Sequence, residues 1–144
     1  MIRQGWDNYF VSLAQHVSAR STCTRKQVGC VIVKDKAIIA TGYNGSLPNQ
    51  AHCTDSDCYI QNNHCIRTVH AETNAINQAA RNGVSLKGAT IYCTLEPCWY
   101  CFKNIISAGI KEIYYKESYG SKNSLYLSYL QNQDIIFEEV LSEY

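Results

Sequence analysis

Two short runs carry the reactive groups of this sequence: His70-Ala71-Glu72 and Pro97-Cys98-Trp99-Tyr100-Cys101. Cys98 and Cys101 are three residues apart, so on one helix their side chains share a face and can hold a single ion as thiolates. Both runs are predicted just inside helix N-termini, where the helix dipole favours negative charge and helps to keep sulfur deprotonated. His70 supplies a third ligand. Three protein ligands with one open tetrahedral position make a catalytic zinc site, whereas a structural zinc is closed by four. Zinc in such a site lowers the pKa of water toward neutrality. Glu72, two residues from His70, can stand beside that water without binding the metal. Its carboxylate can take a proton there and deliver it to a ring nitrogen and then to a leaving amine. A bare Cys-x-x-Cys also occurs in zinc knuckles and redox sites, but neither needs the proline, the helix start and the upstream His-x-Glu together.

A second group of metal-binding residue types, Cys53, Cys58, His64 and Cys65, lies within thirteen residues, and His52 is close by. These spacings fit a closed structural zinc; the alternative is a set of reduced thiols. The chain has eight cysteines in all. Cys30 and Cys93 fall inside apolar runs and read as small buried hydrophobes. The N-terminal residues show no apolar signal core, so the expectation is a reducing, cytoplasmic setting (the host's, for a viral chain), where clustered Cys and His mean metal and not disulfides.

The elements that position these groups follow from periodicity. Trp6, Tyr9, Phe10, Leu13, Ala14 and Val17 recur at spacings of three and four, one face of a helix. Val28 to Val33 reads as a buried strand that turns through Lys34-Asp35-Lys36 into a second, Ala37 to Thr41. Gly42 to Arg67 reads as a loop, long enough to require a function or a metal that orders it. A helix over Val69–Asn82 stops at Asn82-Gly83, and a strand covers Ala89–Thr94. A helix begins at Pro97 and ends at Ala108-Gly109, with Trp99 and Tyr100 as local packing. A strand over Lys111–Tyr115, a helix over Ser124–Gln131 and a strand over Ile135–Val140 complete an αββαβαβαβ order in one domain, residues 1–144. The last three strands, each joined through a helix, should run parallel.

Composition narrows the partners. Apolar residues make up 46% of the 144, and no run approaches the ~18–20 apolar residues of a membrane span. Thirteen Lys and Arg against twelve Asp and Glu give a formal net charge of +1. That balance argues against a stable nucleic-acid partner held through its phosphates.

His-x-Glu followed by Pro-Cys-x-x-Cys is the signature of zinc-dependent base deaminases. The wider sequence resembles the deoxycytidylate (dCMP) deaminase family: Ser21-Thr22-Cys23 ahead of Val28-Gly29, Gly42-Tyr43-Asn44-Gly45, His64 to Glu72 with Asn74-Ala75-Ile76, Ala80 to Gly83, and Glu117-Ser118-Tyr119. The resemblance implies a cytidine-deaminase-like three-layer αβα sandwich with a five-stranded mixed sheet, and hydrolysis of dCMP to dUMP and ammonia in pyrimidine deoxynucleotide synthesis. It places catalysis on Glu72, with zinc on His70, Cys98 and Cys101. It also gives the Ala71 and Cys98 backbone N–H groups to the base carbonyl and the oxyanion, and Tyr119 to stacking on the pyrimidine. Asn44 is then available to the deoxyribose hydroxyl, or is simply a turn residue. Arg25 with Lys26 is the nearest basic pair for a monophosphate, or a solvated loop pair. Through the family pattern Cys23 joins the second zinc, giving Cys23, Cys53, Cys65 and one of Cys58 or His64. Activation by dCTP with Mg²⁺ and inhibition by dTTP are implied at Gly42–Gly45, in a homo-oligomer of hexameric type. The rival expectations are a deaminase of cytidine, guanine or tRNA adenosine, and a non-catalytic zinc scaffold. Glu72 separates the last from the rest, because a scaffold has no use for an acid beside an open zinc position.

Overall fold

The computed structural model describes residues 1–118, 124–131 and 133–143. Helix α1 (Trp6–Ser18) opens the chain and strands β1 (Gly29–Lys34) and β2 (Ala37–Tyr43) form a hairpin. Its turn residues Asp35 and Lys36 both take positive φ, 52° and 64°. That turn geometry follows the right-handed twist of the strands it joins. Four two-residue strands come next: β3 (Gly45–Ser46), β4 (Ile60–Gln61), β5 (His64–Cys65) and β6 (Thr68–Val69). Then follow α2 (Ala71–Arg81), β7 (Thr90–Leu95), α3 (Trp99–Ser107), β8 (Glu112–Glu117), α4 (Ser124–Leu130) and β9 (Ile136–Glu139).

The main sheet has the order β2-β1-β7-β8-β9. Strand β1 is antiparallel to both β2 and β7, while β7, β8 and β9 are parallel. Side chains alternate between its faces. Val31, Val33 and Tyr92 pack with Phe10, Val11 and Ala14 of α1. Cys30, Ile32, Ile91 and Cys93 face the opposite layer, which holds Ala75 and Ala79 of α2, Phe102 and Ile105 of α3 and Tyr126 of α4. The mixed sheet lies between helical layers, as the sequence implied.

Several boundaries shift for physical reasons. Val69 belongs to β6, and α2 begins only after His70, whose extended backbone (φ −64°, ψ 151°) makes it the N-cap. Pro97 lies outside α3, because Cys98 is the N-cap and Trp99 the first helical residue. The 42–67 segment is not plain loop: β3 pairs with β6 and β4 with β5. Asn62 and Asn63, at φ 50° and 65°, turn the β4–β5 hairpin, a backbone region that asparagine tolerates better than most residues. On α1 the buried stripe is Phe10, Val11 and Ala14, while Trp6 and Tyr9 are exposed. Trp99 packs against Phe102 and Tyr126, but Tyr100 is 74% exposed with Lys103 over its ring, and so lies outside the core.

Two glycines set how closely helices approach the sheet. A Cβ on Gly29 would lie 2.5 Å from the Ser18 nitrogen of α1. One on Gly42 would lie 2.5 Å from the Ala75 nitrogen and against the Ala71 carbonyl oxygen of α2. Both helices therefore rest directly on strand backbone, and the start of α2 is located by β2.

Candidate active site

The starts of α2 and α3 meet beside the ends of β2, β7 and β8. His70 Nδ1 lies 3.6 Å from Cys98 Sγ and 3.3 Å from Cys101 Sγ. Tetrahedral zinc with sulfur at ~2.3 Å and nitrogen at ~2.0–2.1 Å requires ligand atoms about 3.5–3.8 Å apart, so this donor set fits one ion. Its electrostatics point the same way. The Cys98 thiol is lowered to about 4, chiefly by its hydrogen bond with Cys101 and further by His70 and the Cys101 backbone, against the opposing effect of burial. Cys101 is raised, first by Cys98 and then by burial. His70 is raised by its hydrogen bond with Cys98. Cys98 at the N-cap is thus held as a thiolate, the form that binds metal.

Glu72 is 4% exposed, and burial raises its carboxyl above the usual carboxylate range. Burial that raises a carboxyl makes it a better proton acceptor than a free carboxylate, which suits a group that takes and returns protons. The first turn of α2 is fastened from several directions. Cys30 donates its thiol hydrogen to the Ala71 carbonyl at 3.3 Å. Asn74 Nδ2 donates to Tyr43 O at 2.8 Å and to Val69 O at 3.3 Å, tying the end of β2 to the residue before His70.

A cavity of about 510 Å³ opens over this corner, with His70, Ala71, Glu72 and Cys98 on its wall together with Asn44, Arg25 and Lys26. Most of the site residues expected from sequence are therefore brought together. Asn44 is buried: its Oδ1 accepts from Val28 N–H at 2.9 Å and its Nδ2 donates to Lys26 O at 2.7 Å. An amide has four hydrogen-bonding positions, so two remain for a ligand. Lys26 Nζ sits 2.9 and 3.1 Å from the two carboxylate oxygens of Glu117, which offsets its charge. Arg25 donates from Nη1 to the Asn63 carbonyl at 3.4 Å and carries its charge into the cavity wall. Tyr119 lies outside the described residues.

At the second cluster the sulfurs of Cys53, Cys58 and Cys65 lie within 4.8 Å of one another, with Cys53 and Cys65 3.7 Å apart. Cys23 and His64 stand outside that group, and both line the cavity, as Cys65 of the group does too. Cys53 is pushed up to about 12 by burial and by Cys58 and Cys65. Cys65 comes down to about 6, because backbone contacts from Thr68 and Arg67 and the Cys53 thiol outweigh burial. Sequence reasoning passed over Glu96, which is 3% exposed on the cavity wall, and Asn63, and it gave no role to Asn74 or Glu117, which it noted only as part of the resemblance. The position of Glu96 beside Pro97-Cys98 was the only signal available for it.

Comparison with known proteins agrees with this geometry. The profile of the cytidine and deoxycytidylate deaminase zinc-binding region matches residues 4–117. ComE operon protein 2 of Bacillus subtilis is 50% identical over 83% of the chain, which spans 63% of that protein's length. The deoxycytidylate deaminase of Mycobacterium phage D29 is 39% identical over 82% of the chain and 100% of its own length. The crystal structure of the cyanophage S-TIM5 dCMP deaminase in complex with dCMP and dUMP superposes with a TM-score of 0.80 at 28% identity, covering 97% of this chain and 100% of that one. This chain, with its cytidine-deaminase-like α/β fold, belongs to the deoxycytidylate deaminase family.

Proposed function

We propose that the protein hydrolyses dCMP to dUMP and ammonia, with zinc held by His70, Cys98 and Cys101 and protons moved by Glu72. The observation that carries this reading is the convergence of Nδ1 and two sulfurs at 3.3 and 3.6 Å beside a buried carboxyl at one cavity. Zinc, when bound, supplies the Lewis acidity that lowers the pKa of water. The chain's own residues do the rest. Glu72, its carboxyl raised by burial, takes one proton from water and gives it to the ring nitrogen, then takes the second from the hydroxyl added at carbon 4 and gives it to the amine that leaves as ammonia. The Ala71 and Cys98 N–H groups at the helix starts serve as donors to the base carbonyl and to developing negative charge. Asn44 offers its remaining amide positions to the sugar, Arg25 and Lys26 bind the monophosphate, and Tyr119 stacks on the base.

The finer parts of the reading have separate supports. The spacing of Cys53, Cys58 and Cys65 suits a second, structural zinc, with Cys23 or His64 beside it as further donor. Regulation by dCTP with Mg²⁺ and by dTTP is assigned to Gly42, Tyr43, Asn44 and Gly45, because this run joins the α2 contact at Gly42 to the cavity wall at Asn44. A homohexamer and a cytoplasmic location complete the proposal. Among the described residues, no helix is long and apolar enough to cross a membrane.

The deciding assay is ammonia release from cytidine, CMP, dCMP and dCTP in parallel. Release from dCMP far above the others is expected. Equal rates on cytidine, or release from none of the four, would overturn the assignment.

A further inference from the structure

The second cysteine cluster and the substrate cavity share a wall, and Arg25 stands where they meet. Cys58 Sγ lies 3.3 Å from Thr24 Oγ1, next to Arg25 in the chain. Cys65 sits in β5, whose hairpin turns through Asn62 and Asn63. The Asn63 carbonyl accepts Arg25 Nη1 at 3.4 Å, and the Arg25 backbone N–H donates to Cys23 Sγ at 3.4 Å. The guanidinium is therefore held by the hairpin that carries Cys65, while the adjoining Thr24 hydroxyl touches Cys58 of the same cluster. Its neighbour Lys26 is paired with Glu117, which offsets part of its charge and makes Arg25 the less neutralised cation of the two.

We infer that the Cys53–Cys58–Cys65 cluster is a metal-dependent device that positions Arg25 for the phosphate of the substrate, and so sets the preference for nucleotide over nucleoside. The inference rests on the proposed deaminase reading only for the identity of the ligand. With a soft divalent cation on the three sulfurs, the β4–β5 hairpin and the 23–25 segment are fixed to each other, and the guanidinium keeps its direction. Without it, the hairpin keeps its two ladder pairs and the hydrogen bonds from Ile66 to Tyr59 and from Arg67 to Asp57, but its position relative to the 23–25 segment is no longer fixed and the Asn63 anchor of the guanidinium loosens. A two-stranded hairpin of that size has little stability of its own. His70, Glu72, Cys98 and Cys101 are held by α2 and α3 and do not depend on this arrangement.

The test uses the product pair dUMP and deoxyuridine, which bind without turnover, with calorimetric titration and zinc analysis of wild type, Cys58→Ser, Arg25→Gln and the double variant. Both single variants should lose dUMP affinity by roughly 10–100-fold, the range for one charge-assisted hydrogen bond to phosphate. Deoxyuridine affinity should stay within about twofold. Cys58→Ser should carry one zinc fewer per chain than wild type, and the double variant should bind dUMP no worse than Arg25→Gln alone, since Cys58 acts through Arg25. Thr24→Val, which removes the hydroxyl facing Cys58 and leaves the sulfurs intact, should also weaken dUMP selectively, and it covers the case in which Cys58→Ser does not fold. Unchanged dUMP affinity in the zinc-depleted variant, equal losses for both ligands, or losses that multiply in the double variant would overturn the inference. Failure of the deaminase reading would appear separately, as wild type releasing no ammonia from dCMP.

Discussion

Replacing Gly42 by alanine should damage the enzyme more than any other single-methyl change in the substrate-side segment. Its Cβ would stand 2.5 Å from the Ala75 nitrogen and 3.0 Å from Ala75 Cα, and against the Ala71 carbonyl. Non-bonded heavy atoms prefer about 3.5 Å, so α2 must move roughly 1 Å away from β2. Both partners are backbone, so no rotamer change can relieve the contact. Overpacking of this kind costs about 1–3 kcal/mol, and the absence of an escape puts Gly42→Ala at the upper end. For a domain of this size that is a fall of about 10 °C in Tm. His70 and Glu72 ride on the first turn of the displaced helix, so catalysis suffers as well: a 1 Å misplacement costs on the order of 10²-fold. Gly45→Ala is the control. Its Cβ meets nothing closer than 3.5 Å, and its stability should stay within about 0.5 kcal/mol of wild type. Differential scanning calorimetry and dCMP turnover without effector read both quantities. A Gly42→Ala protein with wild-type Tm and wild-type rate would refute the packing argument.

Glu72→Gln should retain zinc but lose turnover by ~10²–10⁴-fold or more, and wild-type rates with metal bound would reject the proton-transfer role. Metal analysis should give two zinc ions per chain, one lost on changing Cys98 or Cys101 and the other on changing Cys53 or Cys65. A single zinc in wild type would remove the second site. Tyr92 donates to Asp7 Oδ1 at 2.7 Å, and burial, followed by Asp7, raises its phenol. Tyr114 is raised to about 12 by burial and Glu112. A raised folded-state pKa gives stability that is complete below the unfolded value near ~10 and is lost as pH climbs above it, at about 1.4 kcal/mol per pH unit for each group. Tyr92→Phe should cost about 1 kcal/mol at pH 7 and make unfolding less pH-dependent above pH ~10, as followed by urea denaturation. Finally, dCMP saturation curves with dCTP–Mg²⁺, with dTTP and with neither should differ. Identical curves would leave Gly42–Gly45 as packing and cavity wall.

The metal-binding corner was legible because its information is local. Cys98 and Cys101 share a helix turn, His70 and Glu72 share another, and helix-start chemistry is written in the same few residues. The apolar run Val31-Ile32-Val33 likewise reads as a buried strand, and the structure covers it on both faces. What sequence did not disclose depends on contacts between distant segments. Gly42 enters only as part of the implied effector run, and the approach of α2 shows in addition that its missing side chain makes room for a helix. Lys26 reads as a phosphate donor or a solvated loop charge, and its ion pair with Glu117, ninety-one positions away, is a contact that sequence could not disclose. His64 had the residue type and spacing of a ligand, but its neighbour across the β5 pleat, Cys65, is the one turned to the sulfur cluster.

A shared wall explains why the cysteine-rich loop resists reading by composition alone. His64 and Cys65 both line the cavity, and Cys65 in addition joins Cys53 and Cys58 in the sulfur cluster, so one two-residue strand borders both features. Net charge is similarly blind here. A formal +1 over the chain conceals a cavity in which acidic Glu72 and Glu96 and the Cys98 thiolate come from the starts of α2 and α3, while Arg25 comes from the segment before β1. On the proposed reading, Arg25 would draw the phosphate of the substrate toward its own segment and leave the neutral ring for the metal ligands at the starts of α2 and α3, an orientation that the sum over the chain does not reveal.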